Sequence, residues 1–283
     1  MLAPAKINLD LLITGRRGDG YHLLDSVVVF TELGDEITVE KSDKLSLNIS
    51  GPFADNLIVS DDNLILKAAE IVCKEYGVKP NLKFHLVKNL PVSSGIGGGS
   101  ADASAALKLS TDMLNLKVSQ KRLGEIALSL GADVPVCLRS TTTLMQGVGE
   151  ILTPLTLSES LNMLLVNPSV SVSTPKIFQN YKLTMNGFDQ LRKYNIDHIH
   201  DRLIVETLVN SRNALEVVAC SIEPEILNAL ETLKIQQGVL LSRMSGSGAT
   251  CFGIFDTREN CLKAQKAIKT DNSNWWVEAT RII

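Results

Sequence analysis

Apolar and polar residues alternate through the first fifty positions, with Ile7, Leu9, Leu11 and Ile13 in one run, Ile37 and Val39 in another, and Leu45, Leu47 and Ile49 in a third. A period of two puts one set of side chains on each face of an extended chain, which predicts antiparallel strands. Turn signals fall at residues 15–20 and at Gly34-Asp35. The period lengthens after Asn63, where Leu64, Ala68, Ile71 and Val72 share a helical face, Asp61 to Asn63 offer caps and Gly77 offers a stop. A strand is predicted over 83–88, a loop over 89–99, a helix of small residues over about 100–114, and a helix over 119–130 that ends at Gly131. Asp133 lies just past that stop, with Pro135 beyond it. After about residue 155 the pattern restarts with a strand over 161–166, helices over about 202–219 and 223–234, and a strand over 239–244. A Ser-Gly-Ser-Gly turn, a strand over 250–255, a helix over about 258–269 and a strand near 275–282 complete it. This order predicts an α+β fold of two domains, residues 1–155 and 156–283, with mostly antiparallel sheets and packed helices.

Composition narrows the function classes. The chain has 283 residues, 45% of them hydrophobic and 21% charged, with a formal net charge of −3, which supplies no basic field for nucleic acid. Five widely spaced cysteines without a C-x-x-C pair, Cys73, Cys137, Cys220, Cys251 and Cys261, read as buried thiols of a reducing compartment, not as disulfides or a zinc site. The N-terminal segment is too interrupted for a secretory signal, and no stretch approaches the roughly 18 apolar residues of a membrane span. The expectation is a cytoplasmic monomer or homodimer with a small-molecule substrate and neither nucleic-acid nor membrane partners. The polar run Asp197-His-Ile-His-Asp201 reads as a connection before a helix, since a third metal ligand at suitable spacing is missing.

Residues 90–104, Leu-Pro-Val-Ser-Ser-Gly-Ile-Gly-Gly-Gly-Ser-Ala-Asp-Ala-Ser, are the most informative stretch. Glycines let backbone N–H groups approach an anion, and the start of the following helix adds roughly half a positive charge. The stretch therefore reads as a phosphate cradle. The Walker pattern fails for want of a lysine, and G-x-G-x-x-G fails because Ser100 stands at the third glycine. Taken by themselves, Lys6 and Asn8 read as the solvated face of a strand, Asp133 as a residue bonding its own turn, and Tyr21 with His22 as side chains half-packed at a strand start.

Residues 91–101 resemble the ATP loop P-x-x-x-G-L-G-G-G-S-S of the GHMP kinases, the superfamily of galactose, homoserine, mevalonate and phosphomevalonate kinases. Three further segments resemble the branch that phosphorylates a cytidine-linked intermediate of isoprenoid precursor synthesis. These are Ala3-Pro-Ala-Lys-Ile-Asn-Leu9 with Arg17-Gly-Asp-Gly-Tyr-His22, Leu130-Gly-Ala-Asp-Val-Pro-Val136 with Gly147-Val-Gly-Glu150, and Met244-Ser-Gly-Ser-Gly-Ala249. The blocks occur in family order across nearly the whole chain. Ser93, Ser94, Ile96 and Ala101 depart from the loop's usual residues.

The resemblance implies an ATP-dependent kinase, with Mg2+ accompanying the nucleotide and no dedicated protein metal site. Pro91, Val92, Ser93, Ser94, Gly95, Ile96, Gly97, Gly98, Gly99, Ser100 and Ala101 would hold ATP, with Ser100 the leading hydroxyl for the phosphates. It makes Asp133 the catalytic base and Lys6 its cationic partner, and it assigns Asn8, Tyr21, His22 and Phe178 to the substrate. Tyr21 would stack on cytosine, His22 would hydrogen-bond the base, and Phe178 would offer a second stacking face. The implied acceptor is the 2-hydroxyl of cytidine-diphosphate methylerythritol. A kinase for another alcohol such as homoserine or mevalonate, and a catalytically silent nucleotide sensor, are the competing expectations.

Overall fold

Strand β1 (Leu2–Asn8) shows where simple alternation gives out, because every residue after Leu2 is buried on both faces. Lys6 and Asn8, read by period alone as solvated, are 3% and 1% exposed. The computed structural model describes residues 1–57, 60, 62–156, 161–184, 187–192 and 208–283. These form two compact units that interleave along the chain, one made of residues 1–6, 33–92 and 97–140 and the other of 7–32, 93–96 and 141–283.

In the first unit, the second half of strand β3 (His22–Lys41) pairs antiparallel with β5 (Leu82–Val87) through Glu36 to Lys41. Strand β4 (Ser46–Ser50) then pairs parallel with β5, so this part of the predicted antiparallel set is mixed. Gly34-Asp35 is not a turn, because β3 runs straight through it. Glycine is required there for closeness: a Cβ on Gly34 would lie 2.4 Å from the Ala3 carbonyl oxygen and 2.7 Å from Pro4 Cα. Helix α1 (Leu64–Glu75) is capped by the Asn63 side chain, which accepts the Ile65 N–H at 2.9 Å. It packs on α2 (Gly98–Met113), whose buried Ala101, Ala103, Ala105 and Ala106 let helices approach closely. Helix α3 (Gln120–Leu130) starts at a Ser119 cap and is followed by a short helix absent from the sequence reading, α4 (Val134–Arg139).

In the second unit, β2 (Leu12–Arg16) and β6 (Thr143–Gly147) pair antiparallel with the first half of β3, and β7 (Ile151–Pro154) pairs with β6. A second sheet, antiparallel throughout, has the order β11-β8-β10-β9, from β8 (Asn162–Asn167), β9 (Val239–Met244), β10 (Cys251–Phe255) and β11 (Trp276–Arg281). Helices α5 (Thr174–Thr184), α6 (Glu216–Ile222), α7 (Glu225–Lys234) and α8 (Arg258–Asp271) belong to this unit. Leu164, Val166, Ile226, Leu233, Phe255 and Val277 lie in its core.

The helix expected over 202–219 is interrupted: among the described residues Leu208 and Val209 are helical, residues 210–215 are not, and a helix resumes at Glu216. Asn213 accounts for the break, since its side chain donates to the carbonyls of Met244 and Gly246 and accepts the Leu215 N–H. The run Asp197 to Asp201 lies outside the described residues. All five cysteines are free thiols.

Two glycines of the first unit should respond oppositely to alanine. Gly34→Ala drives a methyl into backbone and is expected to lower stability by about 1–3 kcal/mol. Gly124→Ala adds a methyl that meets nothing within 4 Å inside α3 and is expected to raise it by about 0.5–1 kcal/mol. Urea unfolding midpoints check both signs.

Candidate functional site

The first unit brings Lys6 and Asp133 together. Gly131 ends α3, the chain turns, and Asp133 occupies the N-cap position of α4, with Pro135 in the first turn. An aspartate at an N-cap ordinarily accepts from its own helix N–H groups. Asp133 makes no such bond and instead accepts from Lys6 Nζ at 2.9 Å through Oδ2. Its side chain is 38% exposed while that of Lys6 is 4% exposed, so the carboxylate faces water and the ammonium behind it does not.

The end of the glycine loop adjoins the same lysine. Gly97 is left-handed at φ 65°, and a Cβ there would meet Lys6 Cβ at 3.0 Å and Cε at 3.1 Å. Glycine thus permits both the turn into α2 and the contact with the lysine stem. A Cβ on Gly98 would point inward, 3.1 Å from Lys88 Nζ. One on Gly99 would meet nothing within 4 Å. The first helical bond at this end runs from the Ala101 N–H to the Gly97 carbonyl, and N–H groups preceding it in a helix have no intrahelical acceptor. An open glycine beside such donors fits a phosphate group.

The second unit holds the middle of the loop and the base-recognition candidates. Gly95, at φ 76°, is pressed against the Ser245–Gly248 turn: a Cβ on it would lie 2.6 Å from the carbonyl oxygens of both Ser245 and Gly248. Ser245 Oγ donates to the Gly95 carbonyl at 3.1 Å and accepts the Asn8 N–H at 3.1 Å, while Thr250 N–H donates to the Ser94 carbonyl. The Asn8 amide donates to Ser26 Oγ at 2.8 Å. The turn's glycines therefore serve close backbone approach to the loop.

Tyr21 is 64% exposed, with the Arg17 guanidinium carbon 6.0 Å from its ring centroid. His22 stacks on Phe178, ring centroids 5.0 Å apart and planes 25° apart, and meets the edge of Tyr181 at 6.1 Å. Phe178 and Tyr181 stand one turn apart on α5, a helix the sequence reading left unassigned. Burial first, then the Asp189 charge, hold the Tyr181 phenol above its ordinary range.

Sequence reasoning also missed two buried ionic clusters. Arg192 binds Asp10 and Asp25, and its Nε lies 2.8 Å from Asp25 Oδ1. Lys88 lies between Asp35 and Asp102. Asp25 and Arg192 are 167 positions apart in the chain, beyond the reach of any local spacing rule.

The family described as GHMP kinases N terminal domain matches residues 63–141, and GHMP kinases C terminal matches residues 195–273. A Cereibacter sphaeroides protein named 4-diphosphocytidyl-2-C-methyl-D-erythritol kinase is 44% identical over 99% of this chain and 98% of its own length. A Paracoccus denitrificans protein of the same name is 45% identical over 98% and 94%. The crystal structure of a 4-(cytidine 5'-diphospho)-2C-methyl-D-erythritol kinase superposes with a TM-score of 0.80 at 28% identity, covering 100% of this chain and 98% of that one. Homoserine kinase from Cytophaga hutchinsonii shares the fold, with a TM-score of 0.68 at 18% identity and coverage of 99% and 92%. The chain is a small-molecule kinase of the GHMP fold, and it belongs to the 4-diphosphocytidyl-2-C-methyl-D-erythritol kinase family.

Proposed function

We propose that this enzyme phosphorylates the 2-hydroxyl of 4-diphosphocytidyl-2-C-methyl-D-erythritol in the methylerythritol phosphate route to isoprenoid precursors. The observation that carries the chemistry is the Lys6–Asp133 contact at 2.9 Å, with the Lys6 stem packed against Gly97 where the glycine loop becomes α2. A carboxylate and an ammonium held beside an anion-binding helix start suit proton removal from an alcohol.

Bound ATP, with Mg2+, supplies the phosphoryl group. Residues 91–101 would hold the nucleotide, with the N–H groups at the α2 start available to its phosphates and Ser100 supplying a hydroxyl. Asp133 takes the hydroxyl proton onto a carboxylate oxygen as alkoxide character develops. Lys6 stabilises that negative charge and keeps Asp133 in place between turnovers. Asn8 belongs to the substrate side, where Ser26 and Ser245 fix it. Tyr21 stacks on cytosine, which its exposure allows, and His22 hydrogen-bonds the base. Phe178 is the second aromatic face, and its stacking with His22 supports a role in orienting that ring. The nucleotide-binding part falls within residues 1–155 and the C-terminal part over 156–283, an assignment supported by the order of the two family matches. Among the described residues no helix is long and apolar enough to cross a membrane, in keeping with a cytoplasmic enzyme working on a soluble substrate.

Asp133→Asn is expected to lower kcat by about 10²–10⁴ while nucleotide affinity stays near wild type, because a positioned base acts in the transition state. Steady-state kinetics with a separate nucleotide titration checks this, and unchanged turnover removes Asp133 from the reaction. Tyr21→Ala is expected to weaken the cytidine-linked substrate by about 1–3 kcal/mol without altering ATP affinity. Equal affinities of the two proteins for that substrate, measured by calorimetry, would place the base elsewhere.

A further inference from the structure

Lys88, Asp35 and Asp102 form a charge cluster sealed from water, with exposures of 3%, 0% and 4%. Lys88 directly follows β5, and its Nζ donates to Asp35 Oδ2 at 2.5 Å and to Asp102 Oδ2 at 2.7 Å. Asp35, inside β3, turns its other oxygen to the N–H groups of Asn89 at 2.7 Å and Leu90 at 2.9 Å. Asp102 stands on α2, and its Oδ1 is buried with no hydrogen-bond partner among the described residues. The cluster therefore holds both ends of the glycine loop: the strand exit at 88–90 and the helix that begins at Gly98. Gly98 lies directly against it, since a Cβ there would come within 3.1 Å of Lys88 Nζ.

Asp35 is explained by the two backbone N–H groups it accepts, but fold stability alone accounts poorly for the ion pair of Lys88 with Asp102, because well-packed apolar residues commonly replace buried ion pairs without loss. Its geometry also leaves one ammonium shared by two carboxylates. When both are ionised the cluster carries a net negative charge close to the first turn of α2, where an anion is to bind. Burial pushes the Asp102 carboxyl up to about 7, with Lys88 opposing and the Asp35 charge reinforcing. Burial disfavours the Lys88 charge as well, but the two carboxylates outweigh it and raise its pKa. The other groups around α2 leave this balance to the cluster. Helix α1 turns Glu70, Lys74 and Glu75 to the surface, and its Lys67 pairs with Asp62. Helix α3 presents only Leu123, Ile126 and Ala127 from its buried face. Cys73 on α1 and Cys137 on α4 are thiols that burial keeps neutral, Lys108 of α2 is lowered by burial, and Lys6 and Asp133 are paired to each other.

We propose that Lys88 is a positioning residue for the nucleotide, its ammonium clasped by Asp35 and Asp102 so that the strand entering the glycine loop and the helix leaving it are held at the spacing the phosphates require. The proposal rests on the reading of that loop as the ATP cradle. Protonation of Asp102 removes the cluster's net negative charge, so anion binding and proton uptake favour one another. The cluster's contribution to nucleotide affinity is then greatest while Asp102 is protonated and falls as pH rises through its raised pKa.

The experiment is calorimetric titration of the full-length enzyme with a non-hydrolysable ATP analogue and magnesium between pH 6 and pH 8.5, for wild type, Lys88→Met, Asp102→Asn and Gly99→Val. Lys88→Met should weaken analogue binding by about tenfold or more, with a smaller change in kcat at saturating ATP. Asp102→Asn keeps an acceptor for Lys88 and cannot ionise. The ratio of wild-type Kd to Asp102→Asn Kd should therefore grow by about 3- to 10-fold across the range, the nucleotide's own titration cancelling in the ratio. Should Lys88→Met fail to fold, that ratio decides. A constant ratio, or wild-type affinity in a folded Lys88→Met protein, overturns the proposal. Gly99→Val adds a side chain into open space and should abolish binding. If it binds normally, the cradle reading and this proposal fall together, whereas lost binding with a constant ratio defeats the proposal alone.

Discussion

A lysine ammonium leaves water only where carboxylates or carbonyls meet it, because an unpaired buried charge costs several kcal/mol. The first unit buries two of them, Lys6 and Lys88, each 3% exposed, and much of its arrangement follows from satisfying both. Lys6 draws Asp133 away from capping α4 and so fixes a carboxylate at the end of α3 with one side open to solvent. Lys88 recruits one aspartate from β3 and one from α2, which ties the sheet to the helix that follows the glycine loop. The second unit meets the same constraint with arginine: Arg192 takes Asp10 and Asp25, and Arg243 donates to the carbonyls of Leu9, Leu208 and Ser211.

The glycines divide the remaining work by direction. Gly34 and Gly95 remove side chains where backbone meets backbone, Gly97 supplies a left-handed turn against the Lys6 stem, Gly98 faces the Lys88 cluster and Gly99 faces open space. A loop of small residues can thus be rigid in its supports and still present bare backbone to an anion. The same packing explains why the loop's neighbours are charged yet buried. They hold the backbone from behind, where a hydrophobic side chain could fill space and could not accept the Asn89 and Leu90 N–H groups.

Long-period features were legible in the sequence. The helix after Asn63, the helix after the glycine loop, the strand over 239–244 and the Ser245–Gly248 turn all follow from spacing and caps, and the α+β class follows from their order. The four ordered segments that resemble GHMP kinases led to the family the comparisons establish. What stayed hidden depends on distant partners. Lys6 looked solvated because alternation cannot register a strand covered on both faces, and Gly34-Asp35 looked like a turn because composition does not report that Ala3 and Pro4 crowd the backbone there. Helix α4 is too short for periodicity to register, and α5, which carries Phe178 and Tyr181, lacks a clear apolar repeat.

The most direct test of the account is turnover of the purified enzyme with the cytidine-linked methylerythritol substrate beside mevalonate, homoserine and galactose. ADP release would be followed and the product's phosphorus position read by NMR. Rapid, ATP-dependent phosphorylation of the 2-hydroxyl of the cytidine compound is expected, with negligible turnover of the other three. Comparable turnover of mevalonate or homoserine, or a phosphate on a different oxygen, would contradict it.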